Sequence, residues 1–178
     1  MKPYFLTPNK KEGNTEGRNR IMSKGNDAYI AGFLDGDGCI MAQLIRKHDY
    51  RFGFQIRTSI VFYQKQSKED FMQWLKNKLH YGYIRKRKDG MIEYTIVGFS
   101  EVETILKRLY PHLVLKKNLA KMVLKIVKMP KKPDIKTFLK YCYLVDQSAI
   151  FNYSKKRKIR TQDVKEFLTH SASLNAST

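Results

Sequence analysis

The segment with the most chemistry in it is Ile30-Ala31-Gly32-Phe33-Leu34-Asp35-Gly36-Asp37-Gly38. It reads as the end of a helix. Gly32 and Gly36 stand one turn apart, so they form a stripe without side chains where a second helix can approach closely. Asp37 and Gly38 close the helix. A carboxylate there faces the negative end of the helix macrodipole, which disfavours it. A divalent metal ion would remove that conflict. An ordinary surface aspartate on a glycine-rich helix end is the other reading, and the segment by itself allows both.

The charge balance points to the partner. Lys plus Arg number 35 against 16 Asp plus Glu, a net charge of +19 over 178 residues. A compact domain tolerates such self-repulsion best against a polyanion, so nucleic acid is the expected partner. Lysines outnumber arginines by 25 to 10, as an AT-rich coding genome such as an organelle's would give. No apolar run approaches the roughly 20 residues that a membrane span needs. The first two dozen residues lack the apolar centre of a secretory signal, and Glu12 and Glu16 speak against a transit peptide. We therefore expect a protein that works where it is made.

Other chemistries fit less well. Cys39 and Cys142 form no C-x-x-C pair, and His48, His80, His112 and His170 are widely spaced, so no zinc site is expected and the thiols should be reduced. Pro133-Asp134 with Asp163-Val164-Lys165 matches the loose spacing of a PD-(D/E)xK nuclease. That chemistry needs the D-x-K on a strand, whereas Thr161 onward reads as a capped helix.

The elements that must position these residues follow from periodicity. Residues 1–25 are polar and read as an arm, and 171–178 as a tail, leaving one domain over 26–170. Asn26 is expected to cap a helix over about 27–36. A strand over about 39–47 follows, then a turn near His48 and Asp49. In the next strand Phe52, Phe54, Ile56, Thr58, Ile60 and Phe62 alternate with Arg51, Gly53, Gln55, Arg57, Ser59, Val61 and Tyr63, one face for the core and one for solvent. Ser67 with Asp70, and Ser100 with Glu103, read as capping boxes opening two helices. Between them lies a hairpin, Tyr83–Arg87 and Ile92–Val97, turning at Lys88-Asp89-Gly90. Further helices are expected over 117–129, from Asp134 to about Asn152, and from Thr161 to about Thr169. The chain is thus α+β, in the order α-β-β-α-β-β-α plus C-terminal helices. Two hairpins pair into a four-stranded antiparallel sheet with helices on one face and an open basic face.

The segment 30–38 resembles the signature of the LAGLIDADG homing endonucleases. Ala31, Gly32, Asp35, Asp37 and Gly38 match the family name letter for letter, and Gly36 stands for another small residue. The order of elements, the basic open face and the charge agree over roughly residues 27–165. Leu144-Val145-Asp146-Gln147 and Ser154-Lys155-Lys156-Arg157-Lys158 look like the single-motif subgroup encoded in organelle group I introns. The chloroplast is the expected location, with the mitochondrion as an alternative.

The resemblance implies a site-specific enzyme that makes metal-dependent double-strand breaks with short 3′ overhangs in a long, nearly palindromic target. It makes Asp37 a metal ligand, joined by the Gly36 carbonyl, and Asp35 structural. The metal is Mg²⁺, with Mn²⁺ able to substitute and Ca²⁺ supporting binding without efficient cleavage. By alignment with the subgroup, Gln64 would orient water, and Lys116 would stabilise charge at the cleaved phosphate. Lys68 stands where relatives carry Arg. One motif supplies one acid, so a homodimer is implied, meeting along Gly32, Phe33 and Gly36. DNA contacts are expected from Gln43, Lys47, Tyr50, Gln55, Arg57, Tyr63, Tyr83, Arg85, Arg87 and Glu93. Arg and Gln among them can make bidentate bonds to guanine and adenine. Lys155, Lys156, Arg157 and Lys158 would hold phosphates without reading sequence. An RNA-binding intron maturase and a non-catalytic DNA binder on the same fold are the competing functions.

Overall fold

The computed structural model describes residues 15–151 and 158–176. The expected order of elements holds. Helix α1 (Thr15–Asp37) leads into strands β1 (Gly38–Arg46) and β2 (Phe54–Lys65), helix α2 (Glu69–Leu79), strands β3 (Tyr83–Lys86) and β4 (Met91–Val97), and helix α3 (Phe99–Leu109). Helices α4 (Lys117–Ile126), α5 (Ile135–Gln147) and α6 (Thr161–Ala176) complete it. The four strands form one antiparallel sheet in the order β1-β2-β4-β3.

The element ends correct several expectations. Helix α1 starts at Thr15, well before Asn26, so much of the segment read as an arm is helical. Its first turns alternate good helix formers, Glu16, Arg18, Arg20, Met22 and Lys24, with Gly17, Asn19 and Gly25, so neither propensity nor an apolar stripe marks where it begins. Helix α6 likewise continues to Ala176, into the segment read as a tail. Neither capping box forms. A 3-10 turn over Gln66–Lys68 precedes α2, whose first turn instead carries Glu69 and Asp70 at the positive end of the macrodipole, where they are favoured. Gly98, at φ +119°, precedes α3. Helix α5 does start at its expected cap, with the Asp134 carboxylate accepting the Thr137 N–H at 2.7 Å. It ends at Gln147, and a 3-10 turn over Ser148–Phe151 follows. Asp134 is therefore a cap and Asp163-Val164-Lys165 lies in a helix, which removes the PD-(D/E)xK arrangement.

The core lies between the sheet and the helices. Ile40, Ala42 and Leu44 of β1, Ile60 and Phe62 of β2, and Ile92, Tyr94 and Ile96 of β4 meet Ile30 and Leu34 of α1 and Val102, Ile105 and Leu106 of α3. Strand β2 alternates from Phe54 to Thr58, but Ser59 and Val61, expected outside, are buried as well. The register explains it. Ser59 sits between Met41 and Val97, and Val61 between Cys39 and Thr95, so neighbours on both sides flank these small side chains on the central strand.

Candidate active site and nucleic-acid interface

The end of α1 separates the two motif acids. Asp35 is buried at 8% exposure, and its carboxylate accepts three successive main-chain N–H groups: Val114 at 2.6 Å, Leu115 at 3.1 Å and Lys116 at 2.9 Å. Lys116, at the cap of α4, returns its ammonium to the Leu34 carbonyl at 3.0 Å and to the Asp35 carbonyl. A positive charge thus occupies the negative end of α1. Asp37 is the last residue of α1 and is exposed. Gly38 then lets the chain leave the helix, since a Cβ there would lie 2.5 Å from Leu34 Cδ1 and 2.8 Å from Leu34 Cα.

Gly32 and Gly36 are exposed, and a Cβ built on either meets nothing within 4 Å. The flat stripe is open in the single chain. Phe33, expected beside them at an interface, is half-buried within its own chain, stacked on Phe62 at 5.7 Å and edge-on to Phe71 at 5.0 Å.

Gln64 reaches the same end of the fold. Gly38 pairs with Phe62, and Gln64 stands two residues further along the same strand face. It is half-buried, and its side-chain carbonyl accepts the Lys65 N–H in a long bond of 3.3 Å. Lys68 is exposed at the end of the following 3-10 turn. Among the described residues no three His, Cys, Asp or Glu side chains cluster as metal ligands. At the exposed end of α1 the donors beside one another in sequence are oxygens, the Asp37 carboxylate and the Gly36 carbonyl. That set suits Mg²⁺, which keeps several waters and takes phosphate oxygens. Burial raises the pKa of the Cys39 thiol against the opposing charge of Lys116, and pushes that of Cys142 up to about 12.

The open face of the sheet carries rows of candidate contacts. Gln43 opposes Arg57, and Gln55 opposes Ile45, at the outer end of the β1–β2 hairpin. Lys47 and Tyr50 are exposed in its loop, joined by a main-chain bond of 3.1 Å. Tyr63, Glu93 and Arg85 lie side by side across β2, β4 and β3, with Tyr83 exposed two residues away. Partial burial raises the pKa of the Tyr63 hydroxyl. Glu93, expected to touch DNA, is buried beneath the arginines. It accepts from Arg85 Nε at 2.8 Å and Nη2 at 2.7 Å, with Arg87 Nη1 at 3.7 Å. Lys158 is exposed, while Lys155, Lys156 and Arg157 lie outside the described residues.

Two features escaped the sequence reading. Gln66 clamps the turn of the β3–β4 hairpin, and nothing in local pattern marks it. A cavity of about 570 Å³ opens beside the outer half of β2, its lining including Arg51, Arg57, Lys131 and Lys132. Lys131 and Lys132 fall between Pro130 and Pro133, residues that read only as a helix stop.

Residues 30–132, running from the nonapeptide through α4, match the model of the LAGLIDADG endonuclease family. The chain belongs to this family. The match opens on the nonapeptide Ile30–Gly38 at the end of α1 and runs through the strands and helices that follow it. DNA endonuclease I-CvuI of Chlorella vulgaris is 37% identical over 142 residues, covering 79% of this chain and 88% of its own. DNA endonuclease I-CreI of Chlamydomonas reinhardtii is 35% identical over 144 residues, covering 79% and 86%. A crystal structure of I-CvuI, bound to the I-CreI target with 2 mM Mg and its DNA uncleaved, superposes with a TM-score of 0.82 over 85% of this chain and 98% of that one, at 34% identity. I-CvuI has also been solved on its own target with 2 mM Ca.

Proposed function

We propose that this chain is a homing endonuclease that acts as a homodimer and cuts both strands of one long, nearly palindromic DNA target, leaving short 3′ overhangs. The single observation that carries this reading is the exposed Asp37 beside the open Gly32/Gly36 stripe. One chain brings one acid, and the face next to that acid is shaped for another helix. Pairing two copies of α1 about a two-fold axis gives an isologous interface. It also brings two Asp37 carboxylates together below the groove, one for each strand.

Asp37 and the Gly36 carbonyl hold the metal. When bound, Mg²⁺, or Mn²⁺ in its place, lowers the pKa of an attacking water and neutralises the leaving oxygen; Ca²⁺ supports DNA binding with little cutting. Gln64, on the strand that pairs with the exit from α1, orients that water. Lys116 keeps a fixed positive charge next to the site and faces the scissile phosphate, with Lys68 adding charge at the margin. The sheet lies in the major groove. Gln43, Gln55, Arg57, Arg85 and Arg87 read base edges there, Lys47, Tyr50, Tyr63 and Tyr83 add contacts, and Lys155, Lys156, Arg157 and Lys158 hold phosphates. The likeness to enzymes of Chlorella vulgaris and Chlamydomonas reinhardtii supports an organelle group I intron as the source, with the chloroplast as the compartment and intron mobility as the outcome.

The test is cleavage of a randomised duplex library in Mg²⁺, with the cut ends sequenced. One long, near-palindromic consensus with 3′ overhangs supports the proposal. Random nicking, or no cleavage of any duplex, overturns it.

A further inference from the structure

Gln66 is the first residue of the 3-10 turn that ends at Lys68, and it stands two residues beyond Gln64. Its main-chain N–H donates to the Gly90 carbonyl at 2.9 Å. Its side-chain amide, Nε2, donates to the Arg87 carbonyl at 2.7 Å and to the Met91 carbonyl at 3.4 Å. Two of the acceptors, Arg87 and Gly90, lie in the turn of the β3–β4 hairpin and the third, Met91, opens β4, so one residue grips that turn from outside. Arg87 is held from the other side as well. Its N–H donates to the Met91 carbonyl at 2.8 Å, and its guanidinium reaches Asp89 at 2.8 Å and Glu93 at 3.7 Å. Asp89 is itself fixed, accepting the Met91 N–H at 3.2 Å.

We infer that Gln66 couples the reading of the target by Arg87 to cleavage at the Asp37 end. The inference rests on the proposal that the β3–β4 hairpin reads bases. The main chain of Arg87 is tied to Gln66, and Gln66 lies two residues from Gln64 at the end of β2 and two from Lys68 at the end of the 3-10 turn. A base pair that does not fit Arg87 pushes the hairpin turn, and the push passes through the Gln66 amide to the residues flanking the scissile phosphate. Gln66 touches neither DNA nor metal in this scheme. It is a positioning residue, and its effect appears in discrimination at the cleavage step.

The experiment compares the wild type, Arg87→Ala, Gln66→Ala and Gln66→Glu, the last keeping the length of the side chain without its amide donors. The substrates are the library-selected target and a panel with each base pair changed in both half-sites. Cleavage is measured in Mg²⁺ and binding in Ca²⁺. Both Gln66 variants are expected to lose about tenfold in cleavage discrimination at the positions where Arg87→Ala loses it, the scale of one misplaced bidentate contact. Positions sensitive to Gln43 and Gln55 should keep wild-type discrimination, and binding of the selected target should change by less than about threefold. The inference falls if the Gln66 variants discriminate like the wild type at the Arg87 positions. It also falls if their loss is uniform across all positions, or if binding falls as far as cleavage, as a merely structural role would give. If Arg87→Ala alters no position at all, base reading by the hairpin fails first and this coupling with it.

Discussion

The Asp35 carboxylate accepts the Lys116 main-chain N–H at 2.9 Å, while the Lys116 ammonium turns back onto the Asp35 carbonyl. The two residues lock the end of α1 to the start of α4 in both directions. This assigns different work to the two acids of the motif. Asp35 is consumed by three N–H groups inside the fold, and Asp37, two residues on, is the one left at the surface.

Stability should therefore separate the two acids. Asp35→Ala leaves three N–H groups of the 114–116 loop without their acceptor and should cost about 3 kcal/mol, the scale of hydrogen bonds to a buried charge. Asp37→Asn should cost less than about 0.5 kcal/mol, as surface changes do. Urea unfolding of both variants at one fixed protein concentration measures the difference. Equal losses would mean that Asp35 does not hold the loop.

Lys116 should show both roles at once. Lys116→Met removes a positive charge from the negative end of α1 and should cost about 1 kcal/mol. Cleavage of the selected target in Mg²⁺ should fall by about 10²-fold, the usual effect of removing one group that stabilises developing charge. Single-turnover cleavage at saturating enzyme isolates the second effect. A Lys116→Met enzyme that cuts at the normal rate would confine the residue to holding α1.

The stripe on α1 predicts a variant that changes assembly without harming the chain. An added side chain at position 32 meets nothing within 4 Å of its Cβ inside the chain. Gly32→Leu should fold, with a normal circular-dichroism spectrum, yet sediment as a monomer in analytical ultracentrifugation and fail to cut. A Gly32→Leu dimer that cuts normally would place the two-fold elsewhere.

Much of this was legible in the residues, and the exceptions have physical causes. The period-two pattern from Phe52 to Phe62 located the central strand, because a sheet face covered by helices must be apolar. It misjudged Ser59 and Val61, because one strand's sequence does not reveal the size of its neighbours across the register. The motif marked Asp37 and Gly36 as site residues, but the partners of Asp35 lie some 80 positions away, and only the folded chain brings the 114–116 loop to it. The same holds for Glu93. Read alone it is a charged residue on a strand face, and the arginines that cover it come from β3 and the turn that follows. The helix ends failed where Ser67 and Ser100 looked like caps, since an N-cap depends on backbone geometry that a neighbouring turn can pre-empt.

Sequence reading and phosphate holding should come apart on the sheet. Arg85→Ala should cost about 1–3 kcal/mol on the selected target and relax specificity at matching positions in both half-sites. Lys158→Ala should weaken every sequence alike and make the slope of log K against log salt shallower by about 0.9 for each phosphate that Lys158 neutralises. Fluorescence-anisotropy titrations of a target panel over a range of salt measure both. An Arg85→Ala protein that loses affinity equally for all targets would contradict readout from this face.

Cleavage depends above all on the metal held by Asp37. Asp37→Asn keeps the size of the side chain and removes its charge. The direct measurement is a gel shift and a cleavage assay, on one selected target, with the wild type and the Asp37→Asn protein. Asp37→Asn should abolish cleavage in Mg²⁺ while DNA binding stays equal or tightens, because a carboxylate near phosphates is repulsive without its metal. Near-normal cutting by the Asp37→Asn protein would contradict the mechanism.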